Sequence, residues 1–118
     1  MAQLTKRAFA AWLDAKAPDA IVGKAGSSCG CPLANFLTER ERPPEGAYIE
    51  VDGETWDLVS RRKLVSHPLP RWAAAFVDAV DDSGQYSGIT AAEARHLLAT
   101  ARYAREVYEV YEVYPAIP

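Results

Sequence analysis

The chain is poor in the residues that carry most protein chemistry. Among 118 residues there are two cysteines, two histidines and one methionine. Two cysteines are too few for a disulfide scaffold. Nor is there an apolar run near the roughly 18–20 residues needed to cross a bilayer. Phe9-Ala10-Ala11-Trp12-Leu13 is followed at once by Asp14 and Lys16, the pattern of an amphipathic helix rather than a signal-peptide core. These scarcities predict a cytoplasmic, reducing setting and no membrane partner. A basic surplus is missing too. Residues 1–63 hold nine basic and nine acidic side chains and residues 64–118 hold four and seven, so the whole formal charge of −3 lies in the second part. Proteins that bind nucleic acid directly usually carry the opposite excess. Only Arg61-Arg62-Lys63 hints at one, and it reads as a solvated loop.

What is present is a folding composition. With 49% hydrophobic and 25% charged residues the sequence belongs with folded soluble chains and not with disordered ones. Its length fits a single domain over residues 1–118, large enough to bury about two-thirds of its unfolded surface without staples. Thr5 can cap a first helix running to about Ala17, with Pro18 as its stop and Ala8, Phe9, Trp12 and Leu13 on one face. Ala20 to Gly23 reads as an edge strand or a buried loop. Pro32 suits the first position of a second helix, because its missing N–H costs nothing there. Leu33, Phe36 and Leu37 form that helix's core stripe, and residues 39–46 make a polar connection. A third helix is predicted from Arg71 to Asp81, with Trp72, Ala75, Phe76, Ala79 and Val80 inward. Thr90 and Glu93 form a capping box for the last helix, whose spacing continues through Ala94, Leu97, Leu98, Ala101, Ala104, Tyr108 and Tyr111.

Between the second and third helices, Asp52-Gly53 flanked by alternating residues predicts a two-residue hairpin turn with both positions at positive φ. That turn sets Val51 opposite Glu54, Ile49 opposite Trp56 and Ala47 opposite Leu58. The apolar face then carries Ala47, Ile49, Val51, Trp56 and Leu58. Two strands alone are barely stable, so helices must cover this face. The expected fold is α+β, mainly helical, with about four helices and one β-hairpin.

Chemistry has one local rationale. Cys29 and Cys31 are the thiol candidates, placed at a helix N-terminus where free N–H groups and the helix dipole favour a thiolate. Three activities are compatible with them. A dithiol redox centre normally spaces its cysteines by two residues, and here there is one. A zinc site would need Cys29, Cys31, His67 and His96 together, although paired zinc ligands are usually two to four residues apart. A thiol hydrolase would pair one cysteine with His67, with Asn35 or Asp57 as a third member. The plain alternative is a small buried residue shaping a turn. With Asp82 as first ligand, Asp82 to Glu93 resembles a calcium loop in that Ile89 and Glu93 fall at its eighth and twelfth places. Its third, fifth and sixth places hold Gly84, Tyr86 and Ser87 instead of two oxygen ligands and a glycine.

The most unusual composition comes last: Glu106-Val107-Tyr108, Glu109-Val110-Tyr111, Glu112-Val113-Tyr114. On a helix, steps of three fall 60° short of a turn, so these rows spiral around the axis instead of forming one stripe. Such a segment must be covered by the domain, by a second copy of the chain, or by a basic partner. Glu106, Tyr108, Glu109, Tyr111, Glu112 and Tyr114 are therefore the candidate interaction residues, tyrosine being favoured at interfaces. The sequence points to a small non-enzymatic interaction or regulatory protein acting through this acidic, tyrosine-rich surface, with no cofactor and with self-association as one outcome. A specific version is a phage- or mobile-element-type inhibitor that occupies a basic groove on a nucleic-acid enzyme. The alternative is a Cys-Gly-Cys redox, zinc-binding or thiol-hydrolase domain.

Overall fold

A computed structural model describes residues 3–102. They form an α+β fold of four helices, a three-stranded antiparallel sheet and a two-stranded sheet. Helix α1 spans Lys6–Asp14, and its N-cap Thr5 accepts a hydrogen bond from Ala8 N. It ends three residues earlier than the periodicity suggests. Strand β1 (Ile21–Gly23) leads to helix α2 (Pro32–Glu41), which begins with Pro32 as expected and ends at Arg42 in the left-handed conformation. Strands β2 (Tyr48–Val51), β3 (Thr55–Val59) and β4 (Leu64–Pro68) make a meander. Helix α3 (Arg71–Asp82), strand β5 (Ile89–Thr90) and helix α4 (Ala91–Thr100) follow.

Phe9 sits at the centre of the core. Its ring meets Trp12 of the same helix, Phe36 of α2, and Trp72 and Phe76 of α3, at centroid distances of 5.0–6.0 Å. Leu13, Leu33, Leu37, Ile49, Val80, Ile89 and Leu98 complete a buried interior drawn from all four helices and both sheets. Ala8, expected on the inner face of α1, is exposed. Strand β1 pairs antiparallel with β5, and Ala91 N and Ala92 N donate to the carbonyls of Ala20 and Pro18. This small sheet ties the start of the chain to the capping box. Both halves of that box form: Thr90 Oγ1 accepts from Glu93 N, and Glu93 Oε1 accepts from Thr90 N.

Three expectations are corrected. The β2–β3 turn is longer than two residues: Val51 faces Trp56 and Ile49 faces Leu58. Neither Asp52 nor Gly53 has positive φ. The cause is the Asp52 carboxylate, which accepts from Glu54 N and Thr55 N at 2.7 Å each and closes a four-residue turn. The slip is of two residues, so every side chain keeps its face and Ile49, Val51 and Trp56 are buried as expected. Second, the expected two-stranded hairpin is extended by a third strand, β4. Third, the final helix stops at Thr100 because Ala101 is extended, ψ 138°. The Glu-Val-Tyr triplets lie outside the described residues.

Candidate functional site

The cysteine segment is a closed loop between β1 and α2. Lys24 N donates to Gly30 O and Cys31 N to Ser27 O, at 3.0 and 3.1 Å. Asn35 Nδ2, from the first turn of α2, reaches back to the carbonyls of Val22 and Gly30. The loop packs directly on β1. A Cβ at Gly23 would lie 2.5 Å from Pro32 N and 2.7 Å from the Cys31 carbonyl carbon. Ser28 O accepts from Val51 N at 2.8 Å, so the loop covers one edge of the meander at β2.

Within this loop the two thiols have different fates, and they are not bonded to each other. Cys31 is buried at the N-cap of α2, and its Sγ accepts from Ala34 N at 3.5 Å. Burial pushes its thiol above the ordinary value, and the nearby Asp81 carboxylate pushes the same way. The N–H groups of Ala34 and Leu33 only partly offset this. The expectation of a thiolate at this helix terminus is thus overturned for Cys31, because desolvation of the charged form outweighs the helix-end field. Cys29 is exposed, 3.8 Å from Ser28 Oγ.

The other chemistry-bearing side chains lie elsewhere. His67 is on β4, stacked on Trp56 at 4.2 Å. His96 is exposed on α4. Asp57 accepts from the Ser66 hydroxyl. Among the described residues no three His, Cys, Asp or Glu side chains gather into a set able to hold a metal ion. Beside the cysteine loop, a cleft of about 490 Å³ is lined by Trp12, Lys16, Lys24, Asn35, Thr38 and Glu39, with others. Several of its polar groups are partnered with one another. Trp12 Nε1 donates to Glu39 Oε2 at 3.1 Å, and Lys16 Nζ lies 3.7 Å from the same oxygen and 4.7 Å above the Trp12 ring.

Known proteins offer no guide here. No family model matches the chain, and neither does any curated protein or solved structure. Any functional reading therefore rests on surfaces.

The surface that stands out is the β3–β4 hairpin. Its tip, closed by Ser60 N donating to Lys63 O at 2.9 Å, carries Arg61, Arg62 and Lys63, all exposed. Arg40 does not join them: it pairs with Glu41 at 2.7 Å and its guanidinium packs near the Phe36 and Trp56 rings. Among the described residues β4 pairs only with β3, so its other edge is open. The direction of its backbone groups follows from two bonds. Ser60 N to Lys63 O and Leu69 N to Glu54 O flank the ladder, so residues 63 and 69 point toward β3. By antiparallel alternation, 65 and 67 do the same, and Leu64, Ser66 and Pro68 present their backbone groups outward. Pro68, which has no N–H, occupies an outward position where none is needed for the ladder. Leu64 is 62% exposed. No period-two pattern announces this strand: Leu64-Val65-Ser66-His67 is two apolar residues followed by two polar ones, and the alternation is in burial alone. The expected interaction residues Glu106, Tyr108, Glu109, Tyr111, Glu112 and Tyr114 lie outside the described residues.

No helix among the described residues is long and apolar enough to cross a membrane.

Proposed function

We propose that this chain is a non-enzymatic interaction protein that works by presenting surface. The observation that carries the reading is the open edge of β4, with Leu64 exposed along it and three exposed cations at its tip. An open sheet edge offers regularly spaced donors and acceptors to an extended partner, and side chains beside it supply selectivity. The acidic Glu-Val-Tyr triplets form the second surface of this proposal. They suit a partner with a basic groove, of which a nucleic-acid enzyme is the specific version.

The test is capture of a partner from the source cell by the full chain, compared across three variants. Leu64→Glu alters the hairpin edge, Tyr108→Ala with Tyr111→Ala and Tyr114→Ala removes the aromatic rings, and Cys29→Ser with Cys31→Ser removes both thiols. The reading expects capture to fall about tenfold or more in the first or the second variant and to survive in the third. Capture lost only with the thiols overturns it in favour of the cysteine-centred alternative.

A further inference from the structure

The open strand and the charge pattern around it together identify a partner: a second copy of this chain. This partner deepens the interaction function proposed above and rests on it. The meander is polarised along its strands. At the Thr55–Pro68 end stands the β2–β3 turn, with the exposed carboxylates of Asp52 and Glu54, and Glu54 lies directly across from Leu69; exposed Arg71, two residues past Leu69, is at the same end and is itself engaged, so this end carries two anions and one cation. At the Val59–Leu64 end stands the tip with Arg61, Arg62 and Lys63. Two such sheets laid edge to edge in parallel would set basic tip beside basic tip. Laid antiparallel, each basic tip runs toward the end of the other copy that holds Asp52 and Glu54 beside Arg71, which is more favourable than three cations set against three.

We infer that β4 pairs antiparallel with β4 of a second copy, about a two-fold axis at Ser66, to make one continuous six-stranded sheet. Ser66 faces outward, so Ser66 N donates to the partner's Ser66 O and receives the reciprocal bond. Leu64 N donates to the partner's Pro68 O, again twice by symmetry. The missing N–H of Pro68 removes one bond at each end, so the pairing has four backbone hydrogen bonds. On the outer face this register sets exposed Leu64 against the partner's exposed Pro68. On the inner face it sets half-buried Val65 beside the partner's half-buried His67. The contact is self-complementary, as a closed two-fold interface requires. The other edge of the meander is occupied at Val51 by the cysteine loop, through Val51 N to Ser28 O. Growth from a β4–β4 pair into a longer stack is thereby hindered.

Sedimentation of the full chain over a concentration series, with amide exchange on the same samples, tests the pairing. Wild type is expected to pass from monomer to dimer, with the Leu64 and Ser66 amides gaining protection as it does so. Ser66→Pro deletes an outward donor while sparing the β3 ladder and is expected to weaken the dimer at least tenfold, whereas Ser66→Ala is not. Two charge variants give the decisive comparison. Arg61→Glu/Arg62→Glu/Lys63→Glu and Glu54→Lys should each self-associate more weakly than wild type, by about threefold or more, and a mixture of the two should form the heterodimer preferentially. A strictly monomeric wild type overturns the inference, as does a dimer indifferent to Ser66→Pro or a charge-variant mixture that fails to pair. If the wild type is monomeric yet loses a captured partner on Leu64→Glu, the dimer fails and the interaction reading stands.

Discussion

Cys31 does the work usually given to serine or threonine, because its sulfur accepts the Ala34 N–H at the start of α2. Cys31→Ser keeps an acceptor of smaller size and should change stability by less than about 1 kcal/mol, whereas Cys31→Val keeps the bulk and loses the cap, costing about 1 kcal/mol. Urea unfolding of the two variants separates them. With a thiol reagent near pH 8, exposed Cys29 should label first and buried Cys31, its pKa raised by burial, should lag until the chain unfolds. The glycines divide by a different criterion. Gly23→Ala would drive a methyl into backbone, 2.8 Å from Gly30 O and closer still to Pro32 N, and should cost about 1–3 kcal/mol or more. Gly53→Ala meets nothing within 4 Å and needs no positive φ, so it should be close to neutral. A two-residue turn with Gly53 in the left-handed region predicts the reverse, and thermal melts of Gly53→Ala discriminate the two turns.

At the scale of elements, two local devices make stability depend on pH. Asp52 is held below its ordinary carboxylate range chiefly by the N–H groups of Thr55 and Glu54 in the β2–β3 turn. Glu93 is lowered by Thr90 N–H and its hydroxyl, and also by Gln85, in the cap of α4. Groups whose folded pKa is depressed stabilise the fold above their unfolded pKa, and that contribution is lost as the pH falls through the folded value. Asp78 on α3 has the opposite sign. Partial burial, then the carboxylates of Asp82 and Asp81, raise its pKa. Its ionisation therefore disfavours the fold near neutral pH, and the penalty disappears as the pH falls through the raised value. Arg102 lines the same cleft as Asp78 and Asp82 without cancelling this. Melting curves from pH 7 down to pH 3 should show Asp52→Asn with Glu93→Gln flattening the acid limb. Asp78→Asn should raise the melting temperature at pH 7 and leave it unchanged at the acid end.

For the whole molecule, Phe9 is the point where three helices meet, through rings on α1, α2 and α3. Phe9→Ala removes a fully buried ring and should cost about 3–5 kcal/mol. Domains of this class have only about 5–15 kcal/mol in total, so the variant should be unfolded or close to its midpoint at 37 °C by circular dichroism. Phe9→Leu, which keeps much of the volume, should retain the fold. The meander is joined to this core mainly at β2 and β3, through Ile49, Val51 and Trp56, while β4 is left half outside. That asymmetry makes one edge of the sheet a supporting wall and leaves the other, among the described residues, without a neighbouring strand.

The helix starts and the two faces of the hairpin were legible in the sequence because they depend on neighbours in the chain. Thr5 with Ala8, Pro32 after its capping residue, and Thr90 with Glu93 each act within one helical turn. The inward set of Ile49, Val51 and Trp56 survived a wrong turn length, since a slip of two residues leaves strand faces unchanged. Tertiary structure decided what depends on distant partners. Ile21 meets Thr90 across 69 positions, and no local pattern announces that pairing. The helix-end field at Cys31 was readable from its position, but the burial that defeats it comes from the surrounding core. The edge of β4 that is unpaired among the described residues is likewise a property of the assembled sheet, because only topology shows which side of a strand has no neighbour.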